Sequence, residues 1–140
     1  MNDVYVTISI SGFEPKTAKG KETTFRKLKL RDEFLAQNSV EEIKHIFFGE
    51  KVSVDVCFYL YEDPRDSSRY NKDMDNLLKI VFDVLSEHMD NDKKNPGLGL
   101  IEADKDYLIY ELHSTKKLVK LEPQEGIDIT IKKFIATTKD

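Results

Sequence analysis

Apolar residues recur at two periods along this 140-residue chain, and the switches between those periods set out its elements. Between Asp3 and Ser11, Val4, Val6, Ile8 and Ile10 alternate with Tyr5, Thr7 and Ser9, the period of a strand with one buried face. From Lys51 to Tyr61 the alternation is clearest, with Val52, Val54, Val56, Phe58 and Leu60 set against Ser53, Asp55, Cys57 and Tyr59. Two more strands are expected over residues 107–116 and 127–134. The first should bury Leu108, Tyr110 and Leu112, and the second Ile127, Ile129 and Ile131. Helical spacing is expected over residues 25–37. It returns after Ser39, where Ser39-Val40-Glu41-Glu42 has the form of a capping box and Gly49 provides a stop. A third helical stretch runs from Asp75 or Asn76 to about His88, with Leu77, Leu78, Val81, Phe82, Val84 and Leu85 forming a broad apolar stripe. Residues 12–24, 62–72 and 90–99 carry the glycine, proline and polar punctuation of loops.

Strands with one apolar face and helices to cover it make a two-layer α+β domain. No repeat, low-complexity tract or proline-rich linker divides the chain, so one domain over residues 1–140 is expected, with 135–140 as a tail. No apolar run approaches the roughly 20 residues needed to span a bilayer, and the N-terminus lacks the order of a signal peptide. The single cysteine, Cys57, excludes an internal disulfide and a cysteine-based zinc site. A cytoplasmic protein without a membrane partner is the simple expectation.

A net charge of −4 argues mildly against nucleic-acid binding, but the charge is unevenly distributed. Lys16, Lys19, Lys21, Arg26, Lys27, Lys29 and Arg31 lie between Glu14 and Arg31, opposed only by Glu14 and Glu22. From Asp73 to Asp106 the balance reverses, and carboxylates outnumber lysines. Within that acidic stretch, Asp73 and Asp75 stand where a loop meets the most hydrophobic helix. Lys79 and Asp83 follow at intervals of four, on one helix face. Asp104 arrives from the loop leading to the next strand. Three carboxylates are hard oxygen ligands suited to Mg²⁺ or Mn²⁺ more than to zinc. On spacing alone a plainer account is favoured, with Asp73 or Asp75 as a helix cap and Asp75–Lys79–Asp83 as a solvated ion-pair ladder. Two features tilt the balance. One helix start has no capping task for a second carboxylate, and Glu102, Asp104 and Asp106 crowd a strand entry where strand propensity disfavours them.

Asp73-x-Asp75-Asn76-Leu77-x-Lys79, then Asp83 and Leu85, then a loop and Asp104 before an alternating strand, resembles the core motif of the RusA-type Holliday-junction resolvases. The resemblance covers residues 72–116. It implies a two-layer α+β fold with a mixed four-stranded sheet and helices packed mainly on one face. It also implies a Mg²⁺-dependent endodeoxyribonuclease, with Mn²⁺ able to substitute, that resolves four-way DNA junctions by paired symmetric nicks as a homodimer. By position, Asp73, Asp75 and Asp104 would be the metal ligands, and Lys79 would join them as the catalytic lysine. Asp104 aligns with the second of two adjacent aspartates usual in the family, and Ala103 stands in place of the first. Lys16, Lys19 and Lys21 on the first loop, and Arg65, Arg69 and Lys72 before the motif, are candidate phosphate contacts. Two rival expectations remain: a catalytically inactive branched-DNA-binding or interaction protein of the same fold, and a nuclease acting on flaps and forks. His45, His88 and His113 have no ligand spacing, and a packed thiol is the plainer role for Cys57.

Overall fold

The structure is a computed structural model that describes residues 5–18, 21–89, 95–102 and 106–139. Four strands, β1 (Tyr5–Ser11), β2 (Val52–Tyr61), β3 (Ile109–Val119) and β4 (Gly126–Lys133), combine with two α-helices, α1 (Thr23–Gln37) and α2 (Met74–Leu85). The sheet order is β1-β4-β2-β3. β4 pairs antiparallel with β1 and β2, while β2 pairs parallel with β3. The fold is therefore α+β with a mixed four-stranded sheet, as the resemblance implies.

The alternation of β2 becomes burial. Val52, Val54, Val56, Phe58 and Leu60 are buried, and Ile8, Ile10, Ile127, Ile129 and Ile131 continue the apolar face across β1 and β4. Leu30 and Phe34 of α1 and Leu77, Ile80, Val81 and Val84 of α2 join these strand residues, Leu60 apart, in one cluster. Each such side chain contributes on the order of 1.5–3 kcal/mol by leaving water. The other sheet face is polar: the Thr7 and Thr130 hydroxyls meet at 2.9 Å, and the Tyr59 hydroxyl donates to Asp128 Oδ2 at 2.9 Å. A parallel strand pair needs a crossover of a dozen or more residues, and here α2 lies within it. The crossover also carries all of the candidate acidic residues.

Three expectations change. Residues 41–49 form successive turns rather than a second helix. The Ile43 and Lys44 amides both donate to the Val40 carbonyl, and His45 then takes φ 72°, a left-handed conformation that no helix can continue through. Val40 and Phe47 are buried all the same, so the segment's apolar spacing serves packing. Next, α2 ends at Leu85 rather than near His88. Ser86 is extended and bridges Ile101, and His88 bridges Pro96. Gly97 is required there, because a Cβ would stand 2.1 Å from the Ser86 carbonyl oxygen.

The third change concerns β3. Tyr110 and Leu112 are 51% and 42% exposed rather than buried. The register pairs Val54 with Leu112 and Leu60 with Leu118, so these leucines continue the apolar face of β2. β3 is an edge strand, however, and the helices pack over its neighbours. Alternation along a strand predicts which side chains share a face, but not whether another element covers that face. No helix among the described residues is long and apolar enough to cross a membrane.

Candidate functional site

α2 begins where the polar stretch after β2 gives way to its apolar stripe. Asp73 occupies the N-cap position with extended backbone (φ −71°, ψ 130°), and its carbonyl accepts from the Leu77 amide at 3.1 Å. Its carboxylate makes no capping hydrogen bond. Asp75 follows in the first turn, and half-buried Met74 between them packs against the core. The side chains of Asp73, Asp75 and Lys79 are exposed. Among the described residues none of the three has an ion-pair or hydrogen-bond partner. The capping account of Asp73 therefore fails, and two carboxylates stand unpaired at the positive end of the helix dipole.

Asp83 does not extend the ladder expected below Lys79. It pairs with Lys27 of α1 at 2.8 Å and ties the two helices together. Asp104, expected to complete a trio with Asp73 and Asp75, lies outside the described residues, as does Ala103. Glu102 is half-buried, and its Oε2 lies 3.7 Å from where a Cβ on Gly49 would stand. Among the described residues, no group of three His, Cys, Asp or Glu side chains could hold a metal ion. Asp73 and Asp75 suit a hard divalent cation in donor chemistry and charge, and a third oxygen donor has to come from elsewhere.

The candidate phosphate-contacting residues divide into two groups. Lys21 and Arg65 are exposed, and the Arg65 amide, rather than its guanidinium, donates to Asp63 Oδ1 at 2.9 Å. Lys16 is partly committed, 3.3 Å from Glu14, and Lys19 lies outside the described residues. Arg69 and Lys72 are held within the protein. Arg69 donates through Nε and Nη2 to Glu125, pairs with Glu122 at 3.2 Å, and lies 5.3 Å from the Tyr61 ring centroid. Glu125 is 1% exposed and also accepts from the Tyr61 amide at 3.1 Å. Lys72 donates to Glu14 at 2.8 Å and to the Pro15 carbonyl.

Burial sets the direction of the Lys72 pKa, pushing it below the ordinary lysine value despite the opposing pull of Glu14. Glu14 moves below the usual carboxylate value, because Lys72 and Lys16 together outweigh the upward push of its own burial. Lys72 is the more deeply buried partner, which is why the same contact fails to raise its pKa. These charges stand next to the entry of α2, and Lys116 of β3 fastens that entry by donating to the Lys72 carbonyl at 2.8 Å. Sequence reading does not identify Glu14, Glu122 and Glu125 as partners. Contacts bridging 56 and 58 positions leave no local signal.

No protein-family model matches the chain. The chain is 30% identical over 100 residues to the crossover junction endodeoxyribonuclease RusA of Aquifex aeolicus, a match covering 69% of this chain. It spans 64% of that relative, slightly under two thirds of its length. This similarity supports a RusA-like family for the chain.

Proposed function

Starting from that RusA-like similarity, we propose that the chain is a metal-dependent endodeoxyribonuclease resolving four-way DNA junctions by paired, symmetric nicks. The observation that carries the reading is the pair of exposed, unpartnered carboxylates at the start of α2, with Lys79 one turn further on. An N-cap aspartate that caps nothing, beside a second one with no partner, lacks a structural task among the described residues.

Asp73, Asp75 and Asp104 would hold Mg²⁺, with Mn²⁺ able to replace it. Such a bound ion supplies positive charge to a phosphate oxygen and lowers the pKa of a water molecule. In-line attack of water on the phosphorus leaves a 5′-phosphate and a 3′-hydroxyl. Lys79 would donate to a phosphate oxygen as negative charge accumulates there, an electrostatic role suited to a lysine side chain. Lys16, Lys21 and Arg65 contact backbone phosphates, which positions DNA without reading its sequence. Arg69 and Lys72 act indirectly, by holding the loop before α2 against Glu125 and Glu14. A junction has near two-fold symmetry, and a homodimer presents two sites in matching relation.

The test is cleavage of a labelled synthetic four-way junction with Mg²⁺, by wild type and by Asp75→Asn. Paired nicks from wild type alone, with junction binding retained by the variant, are expected. A folded wild type that binds the junction without cutting it would refute the nuclease reading. Preferential cutting of flaps would move the activity to another branched substrate.

A further inference from the structure

The first turn of α1 carries an aromatic side chain that the core does not use. Phe25 is 55% exposed and lies outside the buried cluster that Leu30 and Phe34 of the same helix enter. Its surroundings are cationic rather than apolar. Lys29 Nζ stands over its ring, 5.0 Å from the centroid, and Lys16 and Arg26 line the same cavity of about 330 Å³. Half-buried Phe13, packed against the core, forms another wall. Among the described residues the acidic members of the lining are Glu14 and Glu22, and Glu14 is engaged by Lys72 at 2.8 Å and by Lys16 at 3.3 Å. A second cavity, of about 210 Å³, adjoins the first through Glu14, Lys16 and Arg26 and is polar, with Thr17, Asp66, Ser68 and Lys72 on its walls.

We infer that this cleft holds one unpaired nucleotide of a DNA strand, its base against Phe25 and its phosphate among Lys16, Arg26 and Lys29. The chemistry of the lining selects that occupant. An exposed phenyl ring offers a stacking face to any base, and the cations beside it suit a phosphate more than an apolar peptide. The larger cavity is at the small end of the range for ligand sites, which suits one nucleotide and excludes a duplex. A base within a duplex is stacked on both faces, so only one that has left its stack can reach Phe25. The lining is also held in place. Arg26 Nη1 donates to the Thr17 carbonyl at 2.9 Å, and Lys29 orders the Phe25 ring from one side.

The cleft is tied to the start of α2. The Ala18 amide donates to the Asn76 carbonyl at 3.0 Å, one residue beyond Asp75, and the Gly12 amide donates to the Pro123 carbonyl at 3.1 Å, so the segment 12–18 is anchored at both ends. Lys72, immediately before Asp73, lines the polar cavity. A nucleotide seated here brings the strand that carries it to the entry of α2. The inference deepens the nuclease reading and rests on it for its purpose. A branch point is where a base leaves its stack at least cost, so the cleft separates branched DNA from continuous duplex.

The test uses the full chain without metal and two labelled single strands of equal length: oligothymidylate, and an abasic strand that keeps every phosphate and has no bases. Wild type should bind oligothymidylate roughly tenfold more tightly than the abasic strand, the effect of one base–aromatic contact. Phe25→Ala should remove that preference and Phe25→Trp should keep it, while both leave duplex affinity within about twofold of wild type. Lys16→Met should weaken both strands alike, because it removes a phosphate contact. Phe25 is exposed, so melting temperatures of its variants should match wild type and separate stacking from folding. Equal affinity for the two strands, binding to neither, or a preference that survives Phe25→Ala overturns the inference, as does an equal loss of duplex affinity in that variant. A chain with the Phe25-dependent preference that cuts no junction keeps the cleft and removes the nuclease. Cutting of junctions without that preference does the reverse.

Discussion

Replacing Arg69 with Met tests whether its charge is structural or available to DNA. Glu125 is 1% exposed, and its carboxylate accepts from Arg69 Nε and Nη2 and from the Tyr61 amide. Removing the guanidinium leaves a buried carboxylate with a single backbone donor. Breaking a buried pair from one side costs about 3–5 kcal/mol, most of it the stranded charge. Unfolding entropy of about 2.1 cal/mol/K per residue gives on the order of 0.3 kcal/mol/K for this chain, so the melting temperature should fall by roughly 10–17 °C. The informative companion is Arg69→Met/Glu125→Gln, which removes both charges and keeps an acceptor for the Tyr61 amide. It should recover more than half of the loss, since a buried ion pair and its neutral replacement differ little in net stability. Calorimetry without DNA or metal reads both effects. A single variant melting within about 2 °C of wild type, or a double variant no more stable than the single, would refute the reasoning and return Arg69 to the phosphate-contacting group.

Lys79→Ala should cut junction turnover at least roughly 100-fold while changing junction affinity by less than about threefold, because its charge is directed at the transition state. Equal losses in both, measured by single-turnover cleavage and binding titration, would make it a simple phosphate grip. Arg65→Ala should lower junction affinity and reduce the slope of log affinity against log salt by about 1; an unchanged slope would show that its exposed guanidinium misses the DNA. Glu14 has a folded pKa below its unfolded value, so its contribution to stability is complete above the unfolded pKa and is lost as pH falls through the folded one. The difference in melting temperature between wild type and Glu14→Gln should accordingly hold steady from pH 7 to about 5 and shrink below about pH 4.3. A difference that persists into acid would place the effect in packing rather than in the pairing with Lys72 and Lys16.

What the sequence makes legible depends on range. The strand 52–61 and the stripe of α2 are visible because burial is periodic and local, and the exposed Asp73, Asp75 and Lys79 are found by motif. The helix expected after Ser39 fails for one backbone angle, φ 72° at His45, which composition does not announce. The burial expected of Tyr110 and Leu112 fails because alternation carries no information about edge position. Arg69 and Lys72 look like free cations in sequence, since their partners Glu125 and Glu14 are distant in the chain.

The strand order also has a kinetic side. β1, β4 and β2 are joined by antiparallel ladders and share a continuous buried face, whereas β3 is held mainly by one parallel ladder closed over the long crossover. With one ladder and one open edge, β3 should exchange its amides with solvent sooner than β2 and β4, which are paired on both sides. Heating would then release the Lys116–Lys72 clasp ahead of the three-stranded core, leaving a chain that still looks folded by its helix and sheet signals.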